Sequence, residues 1–474
     1  MKKCRLITLF VLFSLYLLPA RAEKVPVEKA EKVAENYILS RGTVTKSTLN
    51  LTLVHTEFSS ATEGMNTKSS TSDATFYIFS KGNGNGFIIV SADDVAVPVL
   101  GYVETGNYEQ NNLPPNYVYW MDYLSKEISY AVENRIEQSP EVQAQWKGYL
   151  DGKRILKNET SVEPLVQTKW NQNSPYWDLC PNGYYTGCTA TAMAQIVGYH
   201  RYPATRTTAI PAYTTRTDKI NVSAIAGTTY DWANTKNTYG ETSTNAEKLA
   251  VATLMFHCGA ASQMDYMQAG SAAYTKDAGI GLMEYFHYDR GMRHLQRTYY
   301  STLEWENILK TEIDAGRPIL YAGYSTTGGH AFVCDGYNAE GQFHYNWGWG
   351  GYLDGYFVSS VLNPGKGGIG AGDGAYNNNQ EILINIKPQA AGSYVTDIKI
   401  NTARNITAAK TSVAPGEAFT VNAPIFNRGL SVYKGLVSIS IVDVNDQIVS
   451  ANIGRWNFTN FLPGTGYSNL DFTC

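Results

Sequence analysis

Cys188 follows a glycine and opens the stretch Gly187-Cys188-Thr189-Ala190-Thr191-Ala192-Met193-Ala194-Gln195. Met193, Ile196 and Val197 recur at helical spacing, which predicts a helix over 188–200 that ends before Pro203. A thiol in the first turn of a helix meets unpaired backbone N–H groups and the positive end of the helix dipole. That position is expected to lower its pKa and make the thiolate available as a nucleophile. Such a nucleophile needs a base, and Gly329-His330-Ala331 offers an imidazole at the edge of an apolar run. The chemistry implied is thiol-based acyl transfer, as in a cysteine peptidase. Taken singly, Cys188 reads as an inert core cysteine and His330 as a satisfied core histidine. Their joint setting carries the catalytic reading.

Ala331–Tyr337 reads as a strand, Asn338-Ala339-Glu340-Gly341 as a turn and Gln342–Trp347 as the return strand. In an antiparallel hairpin the end of the second strand returns beside the start of the first. Asn346 and Trp347 are therefore expected beside His330. The amide would accept the imidazole N–H and fix its tautomer, and the indole would shield that bond from water. This is a Cys–His–Asn order. His344, two positions from Asn346 and on the same strand face, is the rival base, but it lies within the strand. Acyl transfer also needs donors for the developing oxyanion. The backbone N–H of Cys188 is one candidate, and the side chain of Gln172, in Trp170-Asn171-Gln172, is the second. No H-E-x-x-H, G-x-S-x-G or phosphate-binding Gly-Lys loop is present. Gly348, Gly350, Gly351 and Gly355 precede no helix and suit a tight loop around Trp347 and Trp349.

A chain of 474 residues must divide into two to four domains to position these groups. With 43% hydrophobic and 17% charged residues it is globular, and a net charge of −4 argues against nucleic acid as its main partner. Lys2, Lys3 and Arg5, the apolar run Leu6–Leu18 and the small-x-small Ala20-Arg21-Ala22 read as a signal peptide over 1–22. The expected location is outside the cytoplasm: extracellular, at the cell surface or periplasmic. The apolar run is too short to span a membrane, and no later segment reaches that length. Cys180, Cys188, Cys258, Cys334 and Cys474 follow the signal, an odd count that implies a free thiol. A disulfide from Cys180 to Cys258 or Cys334 stays open, and Cys334 fits a small core residue in a strand. No C-x-x-C pair suggests zinc.

Upstream, 28–42 reads as a helix, 75–79 and 86–90 as a hairpin, 97–102 as a strand that, because of Pro98, lies at an edge or starts at Val99, and 115–136 as a second long helix. This region is expected to have its own helix–hairpin–helix core. Residues 139–163 read as an exposed, charged connector suited to proteolytic nicking. From Val395 short alternating strands, such as Phe419-Thr420-Val421 and Val437–Ile441, read as an immunoglobulin-like β-sandwich. About 80 residues of it are present, fewer than the roughly 100 of a full sandwich, so an incomplete module is expected.

The nucleophile segment 187–196, followed by Tyr199-His200 and Tyr202-Pro203, resembles that of streptopain-family cysteine peptidases. Gly329-His330-Ala331-Phe332-Val333 with Asn346-Trp347-Gly348-Trp349-Gly350-Gly351 resembles the family's histidine segment. Asn171-Gln172 with Pro175-Tyr176 is similar to its oxyanion segment, and Met264-Asp265-Tyr266 with Gly270-Ser271-Ala272 to its cleft loop. Gly86-Phe87-Ile88-Ile89-Val90-Ser91 and Leu100-Gly101-Tyr102 resemble its inhibitory prosegment. The resemblance spans roughly 27–385. It implies an α+β zymogen: an α+β inhibitory prodomain at 23–160, a papain-like peptidase domain at 161–390 and the appended module at 391–474. Cys188 would be the nucleophile and His330 the base. Gln172 would serve the oxyanion hole, Asn346 and Trp347 would orient His330, and Ser271 and Gly329 would line the substrate site. The implied substrates are proteins or peptides, and the prodomain is an intramolecular inhibitor. No cofactor or metal is implied, only reducing conditions for the thiol. A papain-fold amidase or acyl transferase, or a non-enzymatic surface adhesin, are the rival readings.

Overall fold

The computed structural model describes residues 22–42, 44–59, 73–158, 160–325, 328–361, 380–389, 398–400, 405–445 and 447–474. The signal-peptide reading and the boundary near 390 lie outside these residues, save for Ala22.

The N-terminal part runs α1 (Val27–Ser40), β1 (Thr52–Phe58), β2 (Ala74–Ser80), β3 (Phe87–Ser91), β4 (Val99–Val103), α2 (Pro115–Glu133) and α3 (Pro140–Leu150). Pro98 precedes β4, where a missing N–H costs nothing. Pro114 and Pro115 start α2, where the first helical N–H groups lack intrahelical acceptors anyway. The region after residue 160 supplies α4 (Cys188–His200), a two-residue ribbon β5 (Tyr213–Thr214) and β6 (Asn221–Val222), α5 (Asn245–Ala261), α6 (Thr275–Glu284) and β7 (Arg293–Gln296). It continues with α7 (Thr302–Asp314), β8 (Ile319–Ser325), β9 (Gly328–Tyr337), β10 (Phe343–Asn346), β11 (Gly355–Phe357) and β12 (Gln380–Ile384). The last strands are β13 (Ile398–Ile400), β14 (Thr407–Ala408), β15 (Thr420–Asn427), β16 (Tyr433–Val442), β17 (Ile448–Phe461) and β18 (Gly466–Thr473).

The first twelve strands, apart from the β5–β6 ribbon, form one ten-stranded sheet in the order β1-β2-β3-β4-β11-β10-β9-β8-β12-β7. The seam between the two regions is the β4–β11 pair, with Tyr356 opposite Tyr102 and Phe357 opposite Gly101. A Cβ at Gly101 would lie 2.6 Å from the Phe357 ring, so the seam closes only over a glycine. The N-terminal region thus adds its strands to an open sheet edge. The expectation of a separate helix–hairpin–helix core is corrected. One apolar cluster holds Ile38, Ile89 and Leu124 together with Tyr321, Phe332, Tyr345 and Trp347. Trp120 of α2 sits edge-on against Tyr345, with ring centres 4.9 Å apart. The opposite sheet face, with Leu320, Ala331 and Val333, packs on α4–α6 through Met193, Ile196, Val197, Leu254 and Leu282.

The connector reading also needs correction. Residues 140–150 are helix α3, capped by Ser139, whose side chain accepts from the Val142 N–H. Val142, Trp146 and Tyr149 bury one stripe at helical spacing. Glu141 and Lys147 lie on the exposed face, and the charged run that gave 139–163 its loop-like composition, Asp151, Lys153, Arg154 and Lys157, lies beyond the helix. The exposed connector shrinks to Asp151–Leu156, where only Ile155 is half-covered. From Lys157 the chain pairs with the catalytic region: the N–H groups of Lys157 and Asn158 donate to Ala339 O at 2.8 and 2.9 Å, and Val162 bridges Tyr337.

After residue 390, β13, β14, β15 and β18 form one sheet and β16–β17 a second, around Val421, Ile425, Phe458, Phe461 and Phe472.

Trp146 is almost fully buried and its indole N–H donates to Ala96 O at 2.8 Å. Trp146→Ala is expected to destabilise this corner by about 3–5 kcal/mol. Amide exchange across 140–150 should then speed by about 100-fold or more. Unchanged exchange would show that α3 is not anchored there.

Candidate active site

Gly187 enters α4 at φ 84° and ψ 140°, a conformation that favours glycine. A Cβ there would lie 2.7 Å from the Met264 side chain and 3.0 Å from the Ser271 carbonyl oxygen. The turn therefore needs a glycine twice over, and Cys188 becomes the first helical residue. Thr191 locks the entry: its hydroxyl donates to Gly187 O at 3.1 Å and lies 2.8 Å from the Thr186 hydroxyl.

The half-buried Cys188 Sγ accepts the Ala331 N–H at 3.3 Å and sits 4.0 Å from Gly329 O. Gly329 thus lies beside the thiol, and Ser271 beside the Gly187 that precedes it. The Ser271 segment is tied down by the Asp265–Ala272 bridge and by Thr189 Oγ1 donating to Ala273 O at 3.1 Å. Gln172 is buried, and its carbonyl accepts from Thr186 N–H at 3.3 Å, two residues from Cys188. Cys188, Gln172, Ser271 and Gly329 are therefore gathered at one end of α4.

His330 is close in sequence space but faces elsewhere. Along β9, Ala331 and Val333 turn to the α4 side, and Phe332 and Cys334 turn to the α2 side. His330 follows Phe332. Its ring centre is 6.0 Å from that of Tyr119 in α2, and it lines a cavity of about 620 Å³ with Leu113, Pro115, Tyr119 and Met121. Among the described residues no hydrogen bond joins Cys188 to His330.

The expected Cys–His–Asn contact is also not made, and this is a correction. Asn346 lies opposite Val333, not His330. Its Nδ2 donates to Thr168 O at 2.8 Å, and its Oδ1 accepts from Gln195 Nε2 and Gly348 N–H, both at 3.1 Å. Asn346 therefore ties the end of β10 to α4. Trp347 packs on Phe332 and Phe357, with ring centres 4.8 and 5.3 Å apart, and its indole N–H donates to Leu353 O at 2.8 Å. It covers no His330 bond. The simple hairpin argument failed on register: Phe343 pairs with Tyr337, so β10 reaches only Val333 at Asn346 and stops three residues short of His330. His344, the rival base, is buried with its Nδ1 2.7 Å from Asp335 Oδ1; that carboxylate raises its pKa against the opposing effect of burial. It serves the core. Cys180, Cys188, Cys258, Cys334 and Cys474 are all free, so the open disulfide reading is not realised.

Sequence reasoning missed Asn116. This buried α2 residue donates through Nδ2 to Ala331 O at 2.6 Å and to Trp347 O at 3.1 Å, and accepts from Trp349 Nε1 at 3.2 Å. It grips the residue whose N–H holds the Cys188 sulfur. Pro114-Pro115 marked the helix start, but nothing local marked Asn116 as a tertiary clamp.

The electrostatics match this arrangement. Burial pushes the Cys188 thiol up, only partly offset by N–H groups of Ala331, Thr189 and Cys188 itself. The expectation of a lowered thiol pKa is thus reversed here. Burial also pushes His330 down. Both shifts favour the neutral thiol and the neutral imidazole over a thiolate–imidazolium pair.

Such a molecule, with a cysteine at a helix start, a histidine on the facing sheet and an N-terminal region wedged against that histidine, is a papain-like cysteine peptidase in zymogen form. The comparisons with known proteins agree. The Peptidase C10 family matches residues 170–357, and the Spi protease inhibitor family matches residues 22–128. Streptopain of Streptococcus pyogenes serotype M28 is 31% identical over 343 residues, 67% of this chain and 82% of that protein. Thiol protease/hemagglutinin PrtT of Porphyromonas gingivalis is 31% identical over 383 residues, 78% of this chain and 42% of that protein. This chain therefore spans under half the length of PrtT. The structure of a mutant fragment of Prevotella intermedia prointerpain A is 32% identical with a TM-score of 0.55, covering 66% of this chain and 96% of that one. The chain belongs to the Peptidase C10 family.

With the thiol neutral, Cys188 in the intact chain should react with iodoacetamide at pH 7 at least about 10-fold more slowly than after residues 23–150 are removed. Equal rates, read by mass spectrometry of the Cys188 peptide, would show that the N-terminal region does not set thiol reactivity.

Proposed function

We propose that this chain is an exported cysteine endopeptidase held inactive by its own N-terminal region until that region is cut away. The observation that carries the reading is the opposed placement of Cys188 and His330, with α2 occupying the His330 side. Export is supported by the leader-like first 22 residues.

Once α2 leaves, His330 can turn toward Cys188 and take the thiol proton. The thiolate then attacks a peptide carbonyl, and the Cys188 N–H and the Gln172 side-chain amide donate hydrogen bonds to the oxyanion. The His330 imidazolium returns the proton to the leaving amine. Water, deprotonated by His330, then hydrolyses the thioester and regenerates the thiol. Ser271 and Gly329 line the substrate beside the sulfur. Asn346 and Trp347 act as positioning residues that hold the strand end against which His330 must settle.

The test uses purified residues 23–474, wild type beside Cys188→Ala, under reducing conditions with casein. Wild type should lose its N-terminal region by cleavage between Asp151 and Lys157, the exposed stretch before the chain becomes hydrogen-bonded to Ala339. It should then hydrolyse casein, while Cys188→Ala stays intact and inactive. If wild type also stays inactive after the N-terminal region is removed by an added protease, the proposal is wrong.

Asn116→Ala removes three hydrogen bonds that hold α2 to the catalytic sheet. At about 1 kcal/mol each, their loss should speed conversion at least about 10-fold. An unchanged conversion rate on a gel time course would exclude Asn116 as a clamp.

A further inference from the structure

The C-terminal module does not hang free of the catalytic region. Its turn Asn427–Leu430 is pre-formed: Asn427 Nδ2 donates to Ser431 O at 3.1 Å and Phe461 O at 2.7 Å, and Asn427 Oδ1 accepts the Gly429 N–H at 3.0 Å. That turn docks on the catalytic core. Leu430 is 5% exposed and packs where Gly279 leaves room, Gly429 bridges Arg293, and the Arg428 guanidinium lies 3.6 Å over the Tyr299 ring.

Beside this contact the described residues bound a cavity of about 510 Å³, with walls from both regions. Tyr274, Lys276, Tyr324 and Gln380 come from the catalytic region, and Phe426 and Arg428 from the module. Two of its walls, Tyr324 and Tyr274, neighbour residues that flank the thiol or the start of α4. Tyr324 packs against Gly329, where a Cβ would lie 2.7 Å from its ring, and Gly329 O is 4.0 Å from Cys188 Sγ. Tyr274 follows Ala273, whose carbonyl is held by Thr189 next to Cys188.

The cavity's polar groups are unevenly satisfied. Its acid, Glu381, is already occupied by His294 at 2.8 Å and by Tyr324 at 2.5 Å. Its cations are not. Arg428 Nη2 is buried without a hydrogen-bond partner among the described residues, and the half-buried Lys276 makes no ion pair among them. A buried unpaired donor is costly and points to a missing acceptor. Both groups are cationic, and Arg favours planar carboxylates.

We propose that this junction cavity extends the substrate cleft and that Arg428 and Lys276 bind a carboxylate of the extended polypeptide, several residues from the cleaved bond. The aromatic walls of Tyr274, Tyr324 and Phe426 flank that segment. The module after residue 390 is thereby a specificity element of the peptidase. This inference rests on the peptidase reading above.

The test compares processed full-length enzyme on a short fluorogenic peptide with its action on long peptides of the same core. The long peptides carry three acidic, three neutral or three basic residues, placed on either side of the cleaved bond. Wild type should cleave one acidic long peptide about 10-fold or more better in kcat/KM than its neutral counterpart, mostly through KM. Lys276→Glu, which leaves the docking turn untouched, and Arg428→Gln should both abolish that advantage, and Lys276→Glu should favour the basic peptide. Both variants should cleave the short peptide as wild type does. Equal cleavage of acidic and neutral long peptides by wild type overturns the inference. So does equal loss on short and long peptides in both variants. A short peptide left uncut by wild type would instead sink the peptidase reading itself.

Discussion

Strand alternation in β9 is the constraint on which the rest of the site depends. Neighbouring residues on a strand face opposite sides of the sheet. Ala331 presents its N–H to the Cys188 sulfur, and His330 lies with Phe332 on the side covered by α2. Both residues of a thiol–imidazole pair are thus present within one short stretch of structure, yet the pleat keeps them apart. Bringing them together requires the start of β9 to turn over, and the helix packed on that face opposes it.

The N-terminal region opposes it by shared structure more than by plugging a cleft. Its four strands extend the catalytic sheet across the β4–β11 seam, and its aromatic residues join the core that holds Phe332 and Trp347. Asn116 adds specificity at the one point that matters, bridging Ala331, Trp347 and Trp349. A buried amide with every polar atom satisfied is costly to displace while its helix stays folded, and has no hold once the helix is released. Inhibition and release are therefore coupled to the folding of one helix.

The same economy of placement marks the other end of the chain. The turn Asn427–Leu430 inserts Leu430 into the catalytic core and lays Arg428 on Tyr299, which leaves a polar, aromatic-walled space next to the residues that flank the thiol. A module that merely trailed the enzyme would not need a buried leucine in its partner's core.

Much of this was legible in the sequence. Gly187-Cys188 before a helix, the Gly329-His330 strand edge, the helix at 27–40 and the β2–β3 hairpin follow from periodicity and glycine chemistry, which act over a few residues. Gln172, Ser271 and Gly329 also gather around the start of α4. Helix α3 was hidden because the charged run just past it, Asp151 to Lys157, dominated the composition of 139–163. What only the tertiary structure decided were the partners across distance. Asn346 bonds Thr168 and Gln195 instead of His330 because the pairing that starts at Phe343 and Tyr337 leaves it opposite Val333, and no local pattern encodes that register. The continuity of the sheet through Gly101 and Phe357, the grip of Asn116 and the neutral state of Cys188 all depend on burial by segments far away in the chain. Sequence fixes which groups a chain carries and the local geometry that presents them; packing fixes which face they turn to and how much water they keep.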